Sequence, residues 1–154
     1  MERLFLKWTG FLILMLSLGC SGVVSPNYIK DIHPYTKKFY ANFGQVRTAL
    51  TTVLQDKGWS ITKTTDPITY EHESIIEQSR TQRLLIFAEY IDQSLLTPDT
   101  EERINIFIRT SADMTTEVEI RYQSVTSLMV KNIVRYKSDR FVEEIFQACE
   151  ELLN

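Results

Sequence analysis

Few side chains in this chain of 154 residues are suited to acid–base, nucleophilic or metal chemistry. There are two histidines, His33 and His72, and two cysteines, Cys20 and Cys149. Neither histidine has a Cys, Asp or Glu at the spacing of a known metal site. Glutamates flank His72 on both sides, but successive residues of a strand point to opposite faces, which would turn both carboxylates away from the imidazole. We therefore predict no metal site.

Carboxylate pairs are the remaining candidates for catalysis. Glu101-Glu102 falls in a predicted loop, and Glu143-Glu144 falls on the outer face of a predicted helix, where carboxylates are ordinarily solvated. The chain has no Gly-x-Ser-x-Gly motif, no phosphate-binding glycine loop and no Cys–His pair with an orienting group. The sequence predicts a protein that is not an enzyme and uses no cofactor.

Cys20 stands in a context that gives it a different chemistry. An apolar stretch ends in Gly19 directly before it, and Arg3 and Lys7 make the preceding segment basic, as in a secretory signal. The stretch is too short to cross a bilayer comfortably, since that takes roughly 20 apolar residues. The segment resembles a bacterial lipoprotein signal, with Ser17 where that pattern has Leu.

This resemblance implies that residues 1–19 are a signal peptide and that Cys20 becomes the acylated first residue of the mature protein. Three acyl chains would form a stable membrane anchor, because one chain alone binds only marginally. Ser21, rather than Asp, after the cysteine implies the outer membrane in enterobacteria-like sorting, with the domain facing the periplasm. An ordinary signal peptide and an uncleaved anchor are the alternatives.

Composition limits the partners of the mature chain. Without residues 1–19, which hold two basic residues and one acidic residue, the 17 basic and 20 acidic side chains fall to 15 and 19, a formal charge of −4. This balance, without a basic block, disfavours a nucleic-acid partner. The remaining length is that of one domain with a sizeable core. With Cys20 acylated, Cys149 has no disulfide partner within the chain, and we predict it to be a small buried apolar residue.

Hydrophobic periodicity predicts the elements that would position these residues. Residues 20–34 show no sustained period and are predicted to be the lipidated tether, although Tyr28 and Ile29 could pack on the domain or on lipid. Apolar residues at three- and four-residue steps predict a helix over 35–57 that ends at Gly58. Alternation predicts five strands, at 59–64, 68–73, 83–91, 104–109 and 116–122.

A loop is predicted over 92–102, and a final helix begins at Ser138 or Asp139. Residues 74–82 and 124–137 fit no single element. A helix, several antiparallel strands and a second helix predict one α+β domain over 35–154. Such an order is typical of a two-layer sandwich with both helices on one face of the sheet.

The strand at 83–91 is apolar on both faces, which predicts a patch on the face opposite the helices. Exposed apolar patches of several hundred Å² commonly mark binding sites. The alternative is that 92–102 or 124–137 folds over this patch, and an open sheet also has edges that accept a partner strand. The candidate patch residues are Leu85, Phe87, Ile91 and Phe107.

A second resemblance concerns the domain itself. The run Phe43–Leu50, the Gly58-Trp59 pair and the Asp66-Pro67-Ile68 turn are similar to the helix-grip domain of the C-subunit lipoprotein of the outer-membrane β-barrel assembly machinery. These residues are of core and turn types, so the resemblance implies a helix-grip fold. That family usually has Gly where this chain has Pro67, and it often carries two such domains rather than one.

Together these features predict a lipid-anchored periplasmic accessory protein that binds another envelope protein and performs no chemistry. The alternative is a carrier or sensor of a small apolar ligand in a cleft between the sheet and segments 92–102 and 124–137. An enclosed cavity lined by Leu85, Phe87 and Phe107 would favour the carrier. A flat exposed surface would favour the binding protein.

Overall fold

The predicted α+β sandwich is confirmed: two helices pack on one face of an antiparallel sheet. The computed structural model describes residues 28–30, 33–70, 82–92, 100–111, 113, 115–127 and 132–154. In these residues the elements follow the order β1 (Tyr35–Phe39), α1 (Phe43–Asp56), β2 (Ser60–Thr65), a 3-10 turn (Pro67–Thr69), β3 (Arg83–Asp92), β4 (Thr100–Thr110), β5 (Thr116–Ser127), β6 (Asn132–Arg135) and α2 (Asp139–Leu153).

The sheet runs β1-β5-β4-β3-β2, and β6 pairs with the same edge of β5 as β1, further along that strand. All of these pairs are antiparallel. The centre of the sheet is formed by β3, β4 and β5, which are ten to twelve residues long. Because side chains alternate along each strand, these three strands divide their residues between a helix-covered face and an opposite face.

The main core lies between the helices and the sheet. Branched aliphatic residues from alternate positions of β4 and β5 meet the apolar stripes of both helices, as the helical period requires. Trp59, directly before β2, stacks on Phe141 of α2 with ring centroids 4.9 Å apart. The buried residues of this core include Val46, Leu50, Leu54, Ile104, Ile106, Ile108, Val118, Ile120, Ile145 and Cys149.

The prediction of a helix over 35–57 was wrong at its start, because Tyr35–Phe39 form β1. β1 pairs with residues 116–120 of β5, and the alternation of side chains along this strand turns Phe39 into the core, where it is buried. The helix begins after Asn42, whose side chain accepts the Gln45 N–H at 2.9 Å, while the Gln45 side chain accepts the Asn42 N–H at 3.2 Å. This capping box was present in the sequence as Asn-x-x-Gln. The predicted C-terminal stop at Gly58 has a φ of 80°.

Three other boundaries differ from the predicted ones. Residues 67–69 form a 3-10 turn where the start of a strand was predicted, because the Asp66 carboxylate caps the turn by accepting the Ile68 N–H at 2.9 Å. Residues 71–73 of the predicted strand lie outside the described residues. The end of the predicted loop belongs to β4, which begins at Thr100. The segment 124–137 contributes the end of β5 and the whole of β6.

β1 connects the sheet to α2 through polar contacts. The Tyr35 hydroxyl donates to Asp139 at 2.5 Å and accepts the Ser138 N–H at 3.1 Å. Tyr35 thus provides the hydrogen bonds at the start of α2, because the side chain of the N-cap residue Ser138 makes no capping bond. Lys37 pairs with Glu150 of α2 at 2.9 Å. Of the described helices, neither has the length and apolar character required to cross a bilayer.

Candidate functional site

The predicted apolar patch is not an exposed surface. Leu85, Phe87 and Phe107 do lie together on the face opposite the helices, but they are 0%, 5% and 7% exposed and form a second small core. Only Ile91 is exposed, at 51%. The four residues therefore do not offer a common docking surface, and the prediction of a partner patch at these positions is corrected.

Two tyrosines cover this second core. Tyr28 stacks on Tyr70 with centroids 5.1 Å apart and meets Phe107 edge-on at 6.4 Å. Tyr70, directly after the 3-10 turn, lies 5.2 Å from the ring of Phe87. The covering residues thus come from before β1 and after β2. Leu95, Leu96 and residues 128–130 belong to the segments 92–102 and 124–137, the alternative cover considered from the sequence, and they lie outside the described residues.

The chain before β1 is bound to the sheet by polar groups of the central strands. The Ile29 N–H donates to Oδ1 of Asn105 at 2.6 Å, and both residues are 1% exposed. Arg121 donates to the Tyr28 hydroxyl at 2.8 Å and to the Ile29 carbonyl at 3.3 Å. We call residues 28–30 the strap. Buried polar side chains that bond a backbone segment specify its position, because leaving them without a partner is costly.

The guanidinium of Arg121 is the centre of this arrangement. It pairs with Glu119 at 2.7 Å, with the two side chains only 11% and 13% exposed. It also lies 4.5 Å above the ring of Phe107 and 5.5 Å from that of Tyr28. Planar stacking, ion pairing and hydrogen bonding together suit arginine rather than lysine at this position.

The strap changes the extent of the predicted tether. Residues 20–34 were predicted to link lipid and domain, yet Tyr28 and Ile29 are packed on the domain. Cys20, the predicted acylation site, lies outside the described residues. Counted along the chain, residues 21–27 separate Cys20 from the strap.

A cavity of about 330 Å³ opens beside the strap on the same face. Lys63, Glu89 and Arg103 line it together with Tyr70 and Phe87. Lys63 donates to the Tyr70 hydroxyl at 2.8 Å, and Arg103 pairs with Glu101. A cleft with three charged side chains does not supply the mainly apolar lining that a carrier of an apolar ligand needs.

The apolar residues in and directly after β6 are more exposed than those of the second core. This strand pairs with residues 124–127 of β5, and among the described residues no strand pairs with its other edge. Ile133, Val134 and Tyr136 are 38%, 40% and 50% exposed. The neighbouring Arg135 and Lys137 are also exposed. Exposed apolar side chains thus lie in a basic stretch, along a strand edge that pairs with no other described strand.

The opposite edge of the sheet is different. β2 exposes Ser60, Thr62, Lys63 and Thr64, and its pairing with β3 shifts register between Ile61 and Lys63. Polar side chains and irregularities of this kind protect an edge from pairing with other chains. β6 differs from β2, because the residues at its centre, Ile133 and Val134, are apolar and exposed.

The groups considered for chemistry are dispersed. Cys149 is fully buried, as predicted, and burial raises the pKa of its thiol to about 12. Burial likewise raises the pKa of Tyr122 to about 12, with the hydroxyl donating to Glu102 at 2.8 Å. His33 is exposed, and His72 lies outside the described residues. Within the described part of the chain, no group of three His, Cys, Asp or Glu side chains is arranged to hold a metal ion.

Sequence reasoning missed Asn105, Arg121 and Tyr70 as parts of the covered face. A signal was available for the first two, because Asn105 and Arg121 lie on the same face of central strands as the apolar patch. Polar groups in such positions are buried only with hydrogen-bond partners. The partner itself is separated from them by more than seventy residues, which no local pattern reveals.

Comparison with known proteins does not assign a family. No family model matches the chain, and no curated protein sequence matches it. Among solved structures, the vertebrate conserved region of human METTL16 aligns with the chain at 12% identity and a TM-score of 0.46, over 79% of this chain and 98% of that one. A 4-hydroxybenzoyl CoA thioesterase from Pseudomonas sp. strain CBS-3 aligns at 9% identity and a TM-score of 0.15, over 75% and 99% of the two chains.

Proposed function

We propose that this protein is a lipid-anchored, non-catalytic accessory protein of the bacterial cell envelope that binds an extended segment of another envelope protein along β6. The lipoprotein-like signal over residues 1–19, directly before Cys20, supports the anchor. The observation that carries the binding function is the apolar, exposed outer edge of β6, which no other described strand covers.

An antiparallel edge strand leaves half of its backbone N–H and C=O groups directed away from the sheet. An added strand satisfies these groups and gains contacts from alternate side chains. At β6 such a strand would contact Ile133 and Val134. Because Ile133 and Val134 are successive residues and point to opposite faces of the sheet, we expect a partner segment with an apolar residue on each of its two faces.

Charge defines the partner further. Arg135 and Lys137 are exposed beside the apolar pair, and Lys137 lies 5.6 Å from the ring of Tyr35. Complementary charge steers association and selects among partners. An extended segment with acidic flanks fits this edge better than a basic or purely apolar one.

Photocrosslinking in the native envelope tests the proposal. A photoreactive phenylalanine analogue replaces Tyr136 or, as a matched control, the 95% exposed Tyr40 at the end of β1. We expect a protein adduct from position 136 only, in which the crosslinked peptide is rich in Asp or Glu. Val134→Asp should remove this adduct, because it places a like charge against the acidic partner.

A second control uses Ile68→Asp, which changes a residue with 42% exposure in the 3-10 turn and should leave the adduct intact. No protein adduct at position 136, an adduct from both positions, or an adduct that survives Val134→Asp would contradict binding at β6. The anchor is tested separately by metabolic palmitate labelling, which Cys20→Ala should abolish.

A further inference from the structure

The strap is an integral part of the folded domain. Ile29 is as deeply buried as the central core residues, although it lies six residues before β1. Three hydrogen bonds hold the strap: the Ile29 N–H donates to Asn105, and Arg121 donates to the Tyr28 hydroxyl and the Ile29 carbonyl. Each spans more than seventy residues of sequence. Tyr28 is further held between Tyr70 and Phe107.

We infer that the strap acts as a clamp that attaches the lipid-bearing end of the chain to the sheet face opposite the helices and turns that face toward the membrane. The inference rests on the proposed lipid anchor at Cys20. The surface that would face the lipid bilayer is the strap-bearing face of the sheet, which is separate from the edge at β6.

Chain length sets the distance. Eight residue steps separate Cys20 from Tyr28, so at most about 3.6 Å per residue places Tyr28 within about 29 Å of the acylated cysteine. With the strap released, the first fixed residue would be Tyr35, fifteen steps away, and the limit would increase to about 54 Å. The attachment point would also move from the sheet face to the edge strand β1.

Clamping therefore gives the two faces of the domain different distances from the bilayer. The helices lie on the far side of the sheet from the strap, and an α-helix with its side chains is roughly 10–12 Å in diameter. A position on the strap-bearing face should on average lie closer to lipid than a position on the outer surface of α2.

A first test does not depend on lipid. Hydrogen exchange of the full chain is followed by mass spectrometry in a peptide that spans residues 28–30. We expect the Ile29 amide to exchange slowly, and Ile29→Asp to accelerate exchange in this peptide at least about tenfold, because a buried apolar contact and its hydrogen bonds are lost. Lys30→Asp, at an exposed neighbouring position, is the matched control and should leave exchange unchanged.

A second test measures orientation on the full lipidated chain in phosphatidylethanolamine–phosphatidylglycerol vesicles with acceptor-labelled lipid. A donor is attached through Thr36→Cys, on the strap-bearing face, or through Gln147→Cys, on the exposed side of α2. The buried Cys149 should not react. We expect more energy transfer from position 36 than from position 147, and we expect Ile29→Asp, but not Lys30→Asp, to reduce this difference.

The outcomes separate the two proposals. Fast exchange at Ile29 in the unaltered protein would overturn the clamp whether or not the protein is lipidated. Slow exchange without vesicle attachment would overturn the anchor and, with it, the membrane-facing orientation. Attachment and slow exchange with equal transfer from positions 36 and 147 would leave the anchor in place and overturn the orientation.

Discussion

Replacing Arg121 by methionine tests whether the pair with Glu119 organises the strap-bearing face. Methionine keeps much of the length and apolar surface of the side chain but removes the charge and the bonds to the strap. Removing one member of a buried pair costs about 3–5 kcal/mol, since it leaves the other charge buried. Because the two side chains retain some exposure, 11% and 13%, we expect the lower figure, about 3 kcal/mol in the free energy of unfolding.

The double variant distinguishes the pair from general packing. Glu119→Gln alone should cost less, about 1 kcal/mol, because the charge of Arg121 is still stabilised by its bonds to the Tyr28 hydroxyl and the Ile29 carbonyl and by the ring of Phe107. Glu119→Gln with Arg121→Met should cost about 2 kcal/mol, because no unpaired charge is left and only the strap contacts are lost. The two substitutions are then coupled by about 2 kcal/mol in a double-mutant cycle.

Urea unfolding of the full chain, followed by far-ultraviolet circular dichroism, measures these energies. Arg140→Met is the matched control, because Arg140 is 94% exposed and its solvated pair with Glu144 should leave the urea midpoint unchanged. A loss below about 1 kcal/mol for Arg121→Met, or strictly additive energies for the two substitutions, would show that the pair is not organised as described.

Three further predictions concern single positions. Tyr35→Phe should lower the free energy of unfolding by about 1–2 kcal/mol, since it removes the hydroxyl that bonds Ser138 and Asp139; an unchanged urea midpoint would contradict that role. Gly58→Ala should cost about 1–2 kcal/mol, because alanine is strained at a φ of 80°. Cys149 should resist maleimide at pH 8 until urea unfolds the chain. The pKa of its thiol is about 12 in the folded protein and 9.0 when exposed. The free energy of unfolding should therefore keep its full value below pH 9 and decrease toward pH 12, because the thiol ionises in the unfolded chain but stays protonated in the folded one. Cys149→Ala should reduce that dependence.

The course of α1 shows where sequence patterns succeed and where they stop. Its stripe, its C-terminal glycine and its Asn42–Gln45 capping box are all local, so the end of the helix was predicted correctly and its start could have been. The preceding residues, Tyr35–Phe39, carry apolar residues at steps that also continue a helical stripe. Only their pairing with β5 makes them a strand, and that contact spans about eighty residues.

The candidate surfaces show the same division. Strand alternation correctly placed Leu85, Phe87 and Phe107 on one face, because the period of side chains in a strand is two. Alternation does not show what lies above a face. Here the cover is Tyr28, from the aperiodic segment before β1, and Tyr70, from a segment whose alternation had predicted a strand.

By itself, the sequence determined the α+β class and the burial of Cys149, since both depend on hydrophobic periodicity. It also predicts a lipid-bearing cysteine at position 20, because that prediction depends on a contiguous motif. The tertiary structure alone decided that the apolar patch is closed and that no other described strand pairs with the outer edge of β6. It also decided that part of the expected tether is clamped to the sheet by Asn105 and Arg121. These features depend on contacts between residues far apart in the chain, whose partners are selected by the packing of the whole domain rather than by their neighbours in sequence.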